Sequence, residues 1–275
     1  MSSVFGAHGH TFTVRVSVPD LAPRVERALA TLRIDDPARS VYSVRPAGHG
    51  KRSLFYDDAL VGSPSSDDRL LLLLHWHINQ RVVDGAVSRH TTLHAAAARS
   101  PRGGAVLLPA PMESGKTTTV TGLLRAGWDY LTDEAAAVGE DGTVLAYAKP
   151  LTIDRGSWLM FPDLRPDGVA ADASSWLVPA TATGAGIADS GKLALIAFPA
   201  YRPDEPTSAR RLAAGSAAHL LAGSTFHFER NGPRDLACLS QLARTVPAYQ
   251  LTIGHLATAV ELINKLEIEA RAAAA

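Results

Sequence analysis

Apolar and polar positions in the N-terminal third follow patterns typical of short strands and amphipathic helices. Residues 11–18 alternate as a strand does, and the apolar residues after Pro19-Asp20 recur at helical spacing. These recurring apolar residues are Leu21, Val25, Leu29 and Leu32. Residues 38–66 combine Gly, Pro and Ser clusters with short apolar islands, which predicts hairpins and loops. We therefore expect a small α+β portion over residues 1–85, packed on the remainder because no linker-like tract separates the two.

A long helix over 69–83, opened by Asp67 and Asp68, is predicted to lead into the second part of the chain, residues 86–275. There, apolar runs at 90–98 and 105–108 are separated by a Pro- and Gly-containing turn, which predicts a hairpin. The strand that delivers residues 110–118 is thus entered through a hairpin, whereas a doubly wound sheet would use a parallel crossover. The elements predicted after residue 115 are helix 116–126, strand 128–132, a hairpin of 135–138 with 143–147, long loops with brief strands over 155–192, buried strand 193–198, helices 209–221 and 233–244, strand 249–253 and helix 255–271.

The amino-acid composition limits the kinds of molecule that the chain is expected to bind. The chain carries 27 basic and 27 acidic residues, so it lacks the positive charge of a nucleic-acid or anionic-membrane binder. Its one cysteine, Cys238, excludes an internal disulfide and a cysteine-rich metal site. The N-terminus lacks the pattern of a signal peptide, and the densest apolar run, 70–74, is far shorter than the roughly 20 residues of a membrane span. We expect a cytoplasmic protein without nucleic-acid or membrane partners; the oligomeric state is open, with a homo-oligomer among the alternatives.

The most specific motif is a glycine–lysine–threonine sequence between an apolar strand and a helix. In such a setting backbone N–H groups and a helix N-terminus face an anion, Lys116 reaches the outer phosphates, and the Thr117 hydroxyl can hold Mg²⁺. Ala110 stands where the usual pattern has Gly, and Ala is the smallest replacement. We name residues 110–118 the Lys116 loop and predict that it binds a nucleotide; the alternative is an ordinary strand–turn–helix with a solvated lysine. The predicted binding residues are Ala110, Pro111, Met112, Glu113, Ser114, Gly115, Lys116, Thr117 and Thr118.

Two acidic residues, Asp133 and Glu134, follow the strand after the loop helix. Ligands gather at the carboxyl ends of strands in open α/β sheets, and successive residues at a strand end point in different directions. Phosphoryl transfer needs Mg²⁺ ligands and a group that accepts the proton of the nucleophile, so one carboxylate can face the metal and the other the incoming hydroxyl. The alternative is a pair of solvated acids at the start of a loop.

Other candidate residues are less specific. His94, on the strand paired with the loop strand, can reach the γ-phosphate or the acids, or it can be an ordinary histidine at the edge of the core. His75 and His77 lie two residues apart on a predicted helix, which places them on different faces and argues against a joint metal site. His8 and His10 are predicted to be surface residues. The sequence does not choose which residue supplies an additional cation among Lys149, Arg202, Arg230 and Arg234.

Residues 93–151 resemble the catalytic core of the HPr kinase/phosphorylase family, whose fold is related to that of phosphoenolpyruvate carboxykinases. The matching features are the strand with His94, the turn at Gly103-Gly104, the Lys116 loop, the helix closed by Arg125-Ala-Gly127, and the strand ending in Asp133-Glu134. The resemblance implies a P-loop kinase core, with hairpins flanking the loop strand of a mixed α/β sheet, and ATP and Mg²⁺ as cofactors. The implied roles are Lys116 on the phosphates, Thr117 on the metal, Asp133 as the base, Glu134 near the metal and His94 supporting the γ-phosphate.

Two departures from that family bear on the substrate. Ala110 replaces the first glycine, and Glu134 replaces the second aspartate. Residues 1–85 do not match the family's N-terminal regulatory domain. These differences argue against the HPr regulator as the substrate. The shorter HPr-kinase-like proteins of biosynthetic clusters are the closer resemblance, and some of those resemble kinases of precursor peptides.

The sequence therefore predicts an ATP- and Mg²⁺-dependent kinase that phosphorylates a hydroxyl of a peptide serine or of a small metabolite. Its catalytic residues would be Asp133, His94 and Lys116, and its metal ligands would come from Thr117, Glu134 and Asp133. A second hypothesis is a non-catalytic nucleotide-binding scaffold or maturation partner in a biosynthetic cluster. Carboxykinase chemistry is disfavoured because no cluster of basic residues is evident to hold a dicarboxylate.

Overall fold

A computed structural model describes residues 3–48, 51–111 and 114–274 of this α/β protein. The α-helices in these residues are α1 Ala22–Leu29, α2 Asp67–Val87, α3 Lys116–Arg125, α4 Ala214–Gly223, α5 Phe228–Thr245 and α6 Leu256–Ala274. The strands are β1 Val4–Ala7, β2 His10–Val16, β3 Arg33–Ile34, β4 Ser40–Pro46, β5 Arg52–Tyr56, β6 Ala59–Gly62, β7 Thr91–Arg99, β8 Gly104–Pro109, β9 Asp129–Thr132, β10 Ala135–Val138, β11 Thr143–Leu145, β12 Leu151–Asp154, β13 Ser175–Val178, β14 Ser190–Tyr201, β15 Ser208–Arg211 and β16 Ala248–Ile253. None of the helices in the described ranges is long and apolar enough to cross a membrane.

The chain divides into two compact units. The first contains residues 3–85 together with Lys149–Pro179, and the second contains Ala86–Ala148 together with residues 180–274. The first boundary between the units follows residue 85. Lys149–Pro179, however, groups with the first unit and not with the expected domain 86–275, because β12 and β13 pair with each other and not with the large sheet of the second unit.

The first unit is built on a six-stranded sheet in the order β3-β1-β2-β4-β5-β6. The β2–β4 pair is parallel and the other pairs are antiparallel. The helical apolar residues predicted after Pro19 are all buried, which confirms the helical face that their spacing indicates.

The second unit is built on an eight-stranded mixed sheet in the order β11-β10-β7-β8-β14-β16-β15, with β9 also paired to β7. The β8–β14 and β14–β16 pairs are parallel. β7 and β8 form the predicted antiparallel hairpin, with Ala95 opposite Pro109 and Arg99 opposite Ala105. Both strands are buried along nearly their whole length because they lie in the interior of the sheet.

The prediction of a helix over 209–221 is wrong at its start. Residues Ser208–Arg211 form β15, which pairs antiparallel with β16, and α4 begins only at Ala214. An unpaired edge of β16 offers hydrogen-bond partners to this segment, and that tertiary pairing outweighs the helical preference of a local Ala- and Arg-rich sequence.

Helix α3, which follows the Lys116 loop, is held against α6 by close packing. A Cβ atom on Gly122 would lie 3.0 Å from both Leu256 Cδ1 and Val260 Cγ2, so the absence of a side chain at Gly122 lets the helices approach. Just beyond α3, the buried Trp128 donates from Nε1 to Asn264 Oδ1 at 2.7 Å. These contacts fix the position of the helix whose N-terminus closes the loop.

The first unit contains a cluster of aromatic and imidazole rings. His10 stacks on Phe12 with ring centroids 5.1 Å apart, and the hydroxyl of the buried Tyr42 lies 2.9 Å from His77 Nδ1. His10 is half-buried, so the prediction that it lies on the surface is wrong; its neighbours are rings that remove it from water. Burial, with the nearby charge of Arg81, lowers the pKa of His10 from 6.5 to about 4, and burial also lowers the pKa of His77.

We predict that His10 makes the first unit sensitive to acid. In the folded chain His10 stays neutral down to about pH 4, whereas in the unfolded chain it is protonated below its ordinary pKa of 6.5. The stabilising contribution is therefore complete above pH 6.5 and is lost as the pH falls toward 4. His10→Phe, which keeps a ring against Phe12, should flatten the pH dependence of the unfolding free energy in this window.

The measurement is chemical denaturation followed by tryptophan fluorescence, since three of the four tryptophans belong to the first unit. His255→Phe, which replaces an exposed imidazole, is the control and should keep the wild-type pH dependence. An unchanged pH dependence in His10→Phe would contradict the prediction.

Candidate functional site

The Lys116 loop connects the end of β8 to the start of α3. Gly115 has φ +91°, in the left-handed region that favours glycine, and a Cβ at this position would lie 3.8 Å from Tyr201 Cβ. The Gly115 carbonyl accepts hydrogen bonds from the Thr119 backbone N–H and hydroxyl, each at 2.8 Å, which starts the helix. Ser114 Oγ donates to Pro111 O at 2.8 Å. The predicted residues Met112 and Glu113 lie outside the described residues, and Thr118 lies in the first turn of α3.

The Lys116 side chain folds back onto the first two residues of the loop. It is buried, and its ammonium donates to Ala110 O at 2.8 Å and Pro111 O at 2.7 Å. Burial lowers the pKa of Lys116, while the negative charges of Glu134 and Asp133 act in the opposite direction. A solvated lysine at a chance turn would have neither the burial nor the two carbonyl contacts. An anion entering the loop would meet this ammonium beside backbone groups.

Asp133 faces the loop. Its carboxylate is almost fully buried; Oδ1 accepts a hydrogen bond from Tyr130 OH at 2.8 Å, and Oδ2 accepts one from the Thr117 hydroxyl at 3.4 Å. Tyr130 is completely buried, and burial together with the charge of Asp133 raises its pKa well above 10. Tyr130 is therefore a permanent hydrogen-bond donor that orients one carboxylate oxygen, so that the other lies beside Thr117.

Glu134 contacts His94 and also lies near the Lys116 ammonium. Glu134 Oε1 lies 3.4 Å from His94 Nε2, and the Glu134 backbone carbonyl accepts a hydrogen bond from Ala95 N at 3.1 Å. Both side chains are partly exposed, at 22% for His94 and 33% for Glu134. The His94 ring lies 5.7 Å from the Phe226 ring. The two neighbouring acids thus have different contacts: Asp133 with Thr117 and Tyr130, and Glu134 with His94.

The acids and the loop do not lie on adjacent strands of the sheet. β7 stands between them, since it pairs with β8 along one edge and with β9 and β10 along the other. β7 offers both edges to neighbours, and the short β9 therefore adds to the edge opposite β8. The loop and the acids come together above the end of β8, through side chains that reach across β7.

A cleft of about 760 Å³ opens beside the loop. One wall is formed by Pro109–Pro111 and Ser114, and another by His94 and Phe226. The end of β14 contributes Tyr201 and Arg202, and the C-terminal part of α4 contributes His219 and Leu220. A volume of this size is in the range of small-molecule sites and exceeds what a phosphate group alone needs.

The four candidate cations differ in their surroundings. Arg202 is exposed on the cleft, and its Nη1 donates to the Tyr201 carbonyl at 3.0 Å. Arg234 is committed to the carbonyls of Val87 and His90 and to Asp235. Lys149 is buried in the first unit, where it donates to Pro150 O. Arg230 is exposed near the start of α5. Only Arg202, among these four, lines the cleft.

Sequence reasoning did not find Tyr130, Tyr201, His219 or Phe226. Tyr130 stands three residues before Asp133 on a predicted strand, and that position on an apolar strand looks like an ordinary core residue. The segment containing Phe226 is more than 90 residues from the loop, and its contact with β7 has no local signal in the sequence.

No protein-family model matches the chain, and a comparison with curated proteins found no significant match.

We predict that Tyr130→Phe destabilises the second unit. The substitution keeps the ring but removes the donor that the buried Asp133 carboxylate uses, and hydrogen bonds to charged groups contribute about 1.5–3 kcal/mol. The free energy of unfolding, measured by chemical denaturation, should fall by that order. Tyr249→Phe is the matched control, since it removes a solvent-facing hydrogen bond with Arg211 and should cost less than about 0.5 kcal/mol. Equal effects of the two substitutions would contradict the assigned role of Tyr130.

Proposed function

We propose that this protein is an ATP- and Mg²⁺-dependent kinase with a core of the HPr kinase/phosphoenolpyruvate carboxykinase type. It would transfer the γ-phosphoryl group of ATP to a hydroxyl group. The observation that carries the proposal is the convergence of Lys116, Thr117 and Asp133: a buried loop ammonium, a hydroxyl at the start of α3 and a buried carboxylate 3.4 Å from that hydroxyl. Phosphoryl transfer depends mainly on positioning and charge neutralisation, and this arrangement supports both.

The donor set near Thr117 fits Mg²⁺. Adjacent oxygens on an octahedral Mg²⁺ ion lie about 3 Å apart, close to the 3.4 Å between Thr117 Oγ1 and Asp133 Oδ2. No group of three or more His, Cys, Asp or Glu side chains suited to a metal occurs in residues 3–48, 51–111 and 114–274. Mg²⁺ commonly takes one or two carboxylates and completes its ligands with water and substrate phosphates, so a hydroxyl and one carboxylate suffice here. When bound, it would neutralise charge on the phosphate oxygens.

The contacts favour a division of roles between the acids that differs from the one implied by the family resemblance. Asp133 is buried and contacts Thr117, which suits the role of a metal ligand. Glu134 is partly exposed, contacts His94, and through His94 reaches the cleft, which suits acceptance of a proton from the incoming hydroxyl. Lys116 would hold the outer phosphates, and the loop backbone would hold the remainder.

Lys116→Ala should weaken nucleotide binding strongly. The substitution removes the one ammonium inside the loop, and we expect Mg²⁺-ATP affinity measured by calorimetry to fall by at least about tenfold. Lys265→Ala, at an exposed position on α6, is the control and should bind ATP as the unmodified protein does. Absence of ATP binding by the unmodified protein would refute the proposed function itself.

Asp133→Asn and Glu134→Gln should each reduce phosphoryl transfer, but in different ways. The rate of phosphoryl transfer by each variant, measured with γ-labelled ATP, should fall by about 10²–10⁴-fold. Asp133→Asn should also raise the Mg²⁺ concentration needed for half-maximal rate, because it removes a charged ligand of the metal ion. Glu134→Gln should leave that concentration near its original value and alter the pH dependence of the rate, because it removes the carboxylate next to His94.

Asp189→Asn changes an exposed carboxylate of the same unit and should match the unmodified protein in rate and Mg²⁺ dependence. A shift in Mg²⁺ dependence for Glu134→Gln alone would reverse the assigned roles. Tight ATP binding without transfer to any acceptor would instead favour the nucleotide-binding scaffold.

A further inference from the structure

The cleft beside the Lys116 loop has a fixed wall opposite the loop. β8 pairs with β7 up to Pro109, which lies opposite Ala95. The residues of β7 that precede Ala95 form backbone hydrogen bonds with the segment 224–226 instead. His94 N donates to Ser224 O at 2.7 Å, and Phe226 N donates to Thr92 O at 2.8 Å. This segment occupies the place in the sheet that β8 gives up when it turns into the loop. The cleft between them is therefore part of the sheet architecture.

One end of the cleft lies at His94, which contacts one of the two acids. His94 lines the cleft, and its Nε2 is 3.4 Å from Glu134 Oε1. A molecule in contact with His94 is thus one side chain away from the Glu134 carboxylate. In a nucleotide held by its phosphates, the γ-phosphate lies at the reacting end, and the nucleoside lies a triphosphate length away. The connection of the cleft to Glu134 through His94 therefore favours the acceptor as the occupant of the cleft, not the nucleoside.

The lining of the cleft indicates the chemistry of that occupant. None of the described lining residues is acidic, whereas Arg202, His94 and His219 are basic side chains. Phe198, Leu220 and Phe226 supply apolar surface, and Tyr201 adds an aromatic ring that is 49% exposed. An anionic group in the cleft would find the guanidinium of Arg202 as a partner. Rings and apolar walls suit an aromatic or aliphatic body next to that group.

We propose that this cleft binds the acceptor and selects a hydroxyl compound with an apolar body and an anionic group that pairs with Arg202. The inference rests on the proposed kinase function. In the reaction the acceptor oxygen forms a bond to the γ-phosphorus, and the bond from that phosphorus to the β–γ bridging oxygen breaks. ADP leaves with the electron pair of that bond, and the acceptor proton passes to the Glu134–His94 pair. A peptide serine and a small hydroxy acid share this chemistry.

Filling the cleft separates acceptor from nucleotide occupancy. Leu220→Trp places a larger side chain on the α4 wall, and Leu236→Trp places the same side chain at an exposed position of α5 that does not line the cleft. Calorimetry would measure the affinity of each variant for Mg²⁺-ATP. We expect both variants to retain it within about twofold. A tenfold or greater loss confined to Leu220→Trp would place the nucleoside in the cleft and overturn the inference.

Charge selection is tested with two probe pairs in the presence of Mg²⁺ and a non-hydrolysable ATP analogue. One pair is 3-phenyllactate and its amide, and the other is N-acetyl-Ser-Phe and its C-terminal amide. In the unmodified protein we expect the carboxylate of at least one pair to bind about tenfold more tightly than its amide. A preference within the phenyllactate pair would indicate a small-molecule acceptor, and a preference within the dipeptide pair would indicate a peptide acceptor. Leu220→Trp should weaken that binding, and Leu236→Trp should not.

Arg202→Gln should abolish the preference for the carboxylate, whereas Arg210→Gln, at an exposed position of β15, should keep it. The absence of a carboxylate preference in both pairs, or its survival in Arg202→Gln, would overturn the inference. These outcomes are distinct from failure of the proposed function, which would appear as no binding of Mg²⁺-ATP to the unmodified protein.

Discussion

The pairing of β7 along both of its edges is the constraint on which the site depends. One edge carries β8 and so delivers the Lys116 loop, and the other carries β9 and β10, between which Asp133 and Glu134 lie. Backbone hydrogen bonds fix the register of all these strands. The separation between the loop and the acids is therefore set by the sheet, and side chains of ordinary length suffice to connect them.

Within this sheet, burial determines the orientation and the solvent exposure of each charged group in the site. Asp133 is buried with a tyrosine donor on one oxygen, so its orientation is determined before any ligand arrives. Lys116 is also buried, and its charge is supported by loop carbonyls and by the two acids nearby. Glu134 and His94 remain partly exposed on the cleft side. A site with one buried and one accessible carboxylate offers two different chemical environments to two successive residues.

Much of the second unit was predictable because its signals are local. The hairpin of β7 and β8, the helix after the loop and the hairpin of β10 and β11 follow from apolar runs and turn residues, and the structure confirms them. The errors have non-local causes. β15 forms because β16 offers an edge, His10 is half-buried because rings of the first unit surround it, and Lys149–Pro179 groups with the first unit although it follows β11 in the chain. Tyr130, Arg202 and Phe226 gain their positions from pairings that no short window contains.

The sequence by itself determined that a strand, a glycine–lysine turn and a helix occur in succession, and that two acids follow the next strand, since these features depend on neighbours in the chain. Only the tertiary structure decided which acid faces Thr117 and which faces His94, which cation lines the cleft, and where the cleft lies. Those outcomes depend on the two-edged pairing of β7 and on the segment that replaces β8 beside it. The physical reason is that sheet register joins residues distant in sequence, and local patterns carry no information about which distant segment will supply the partner.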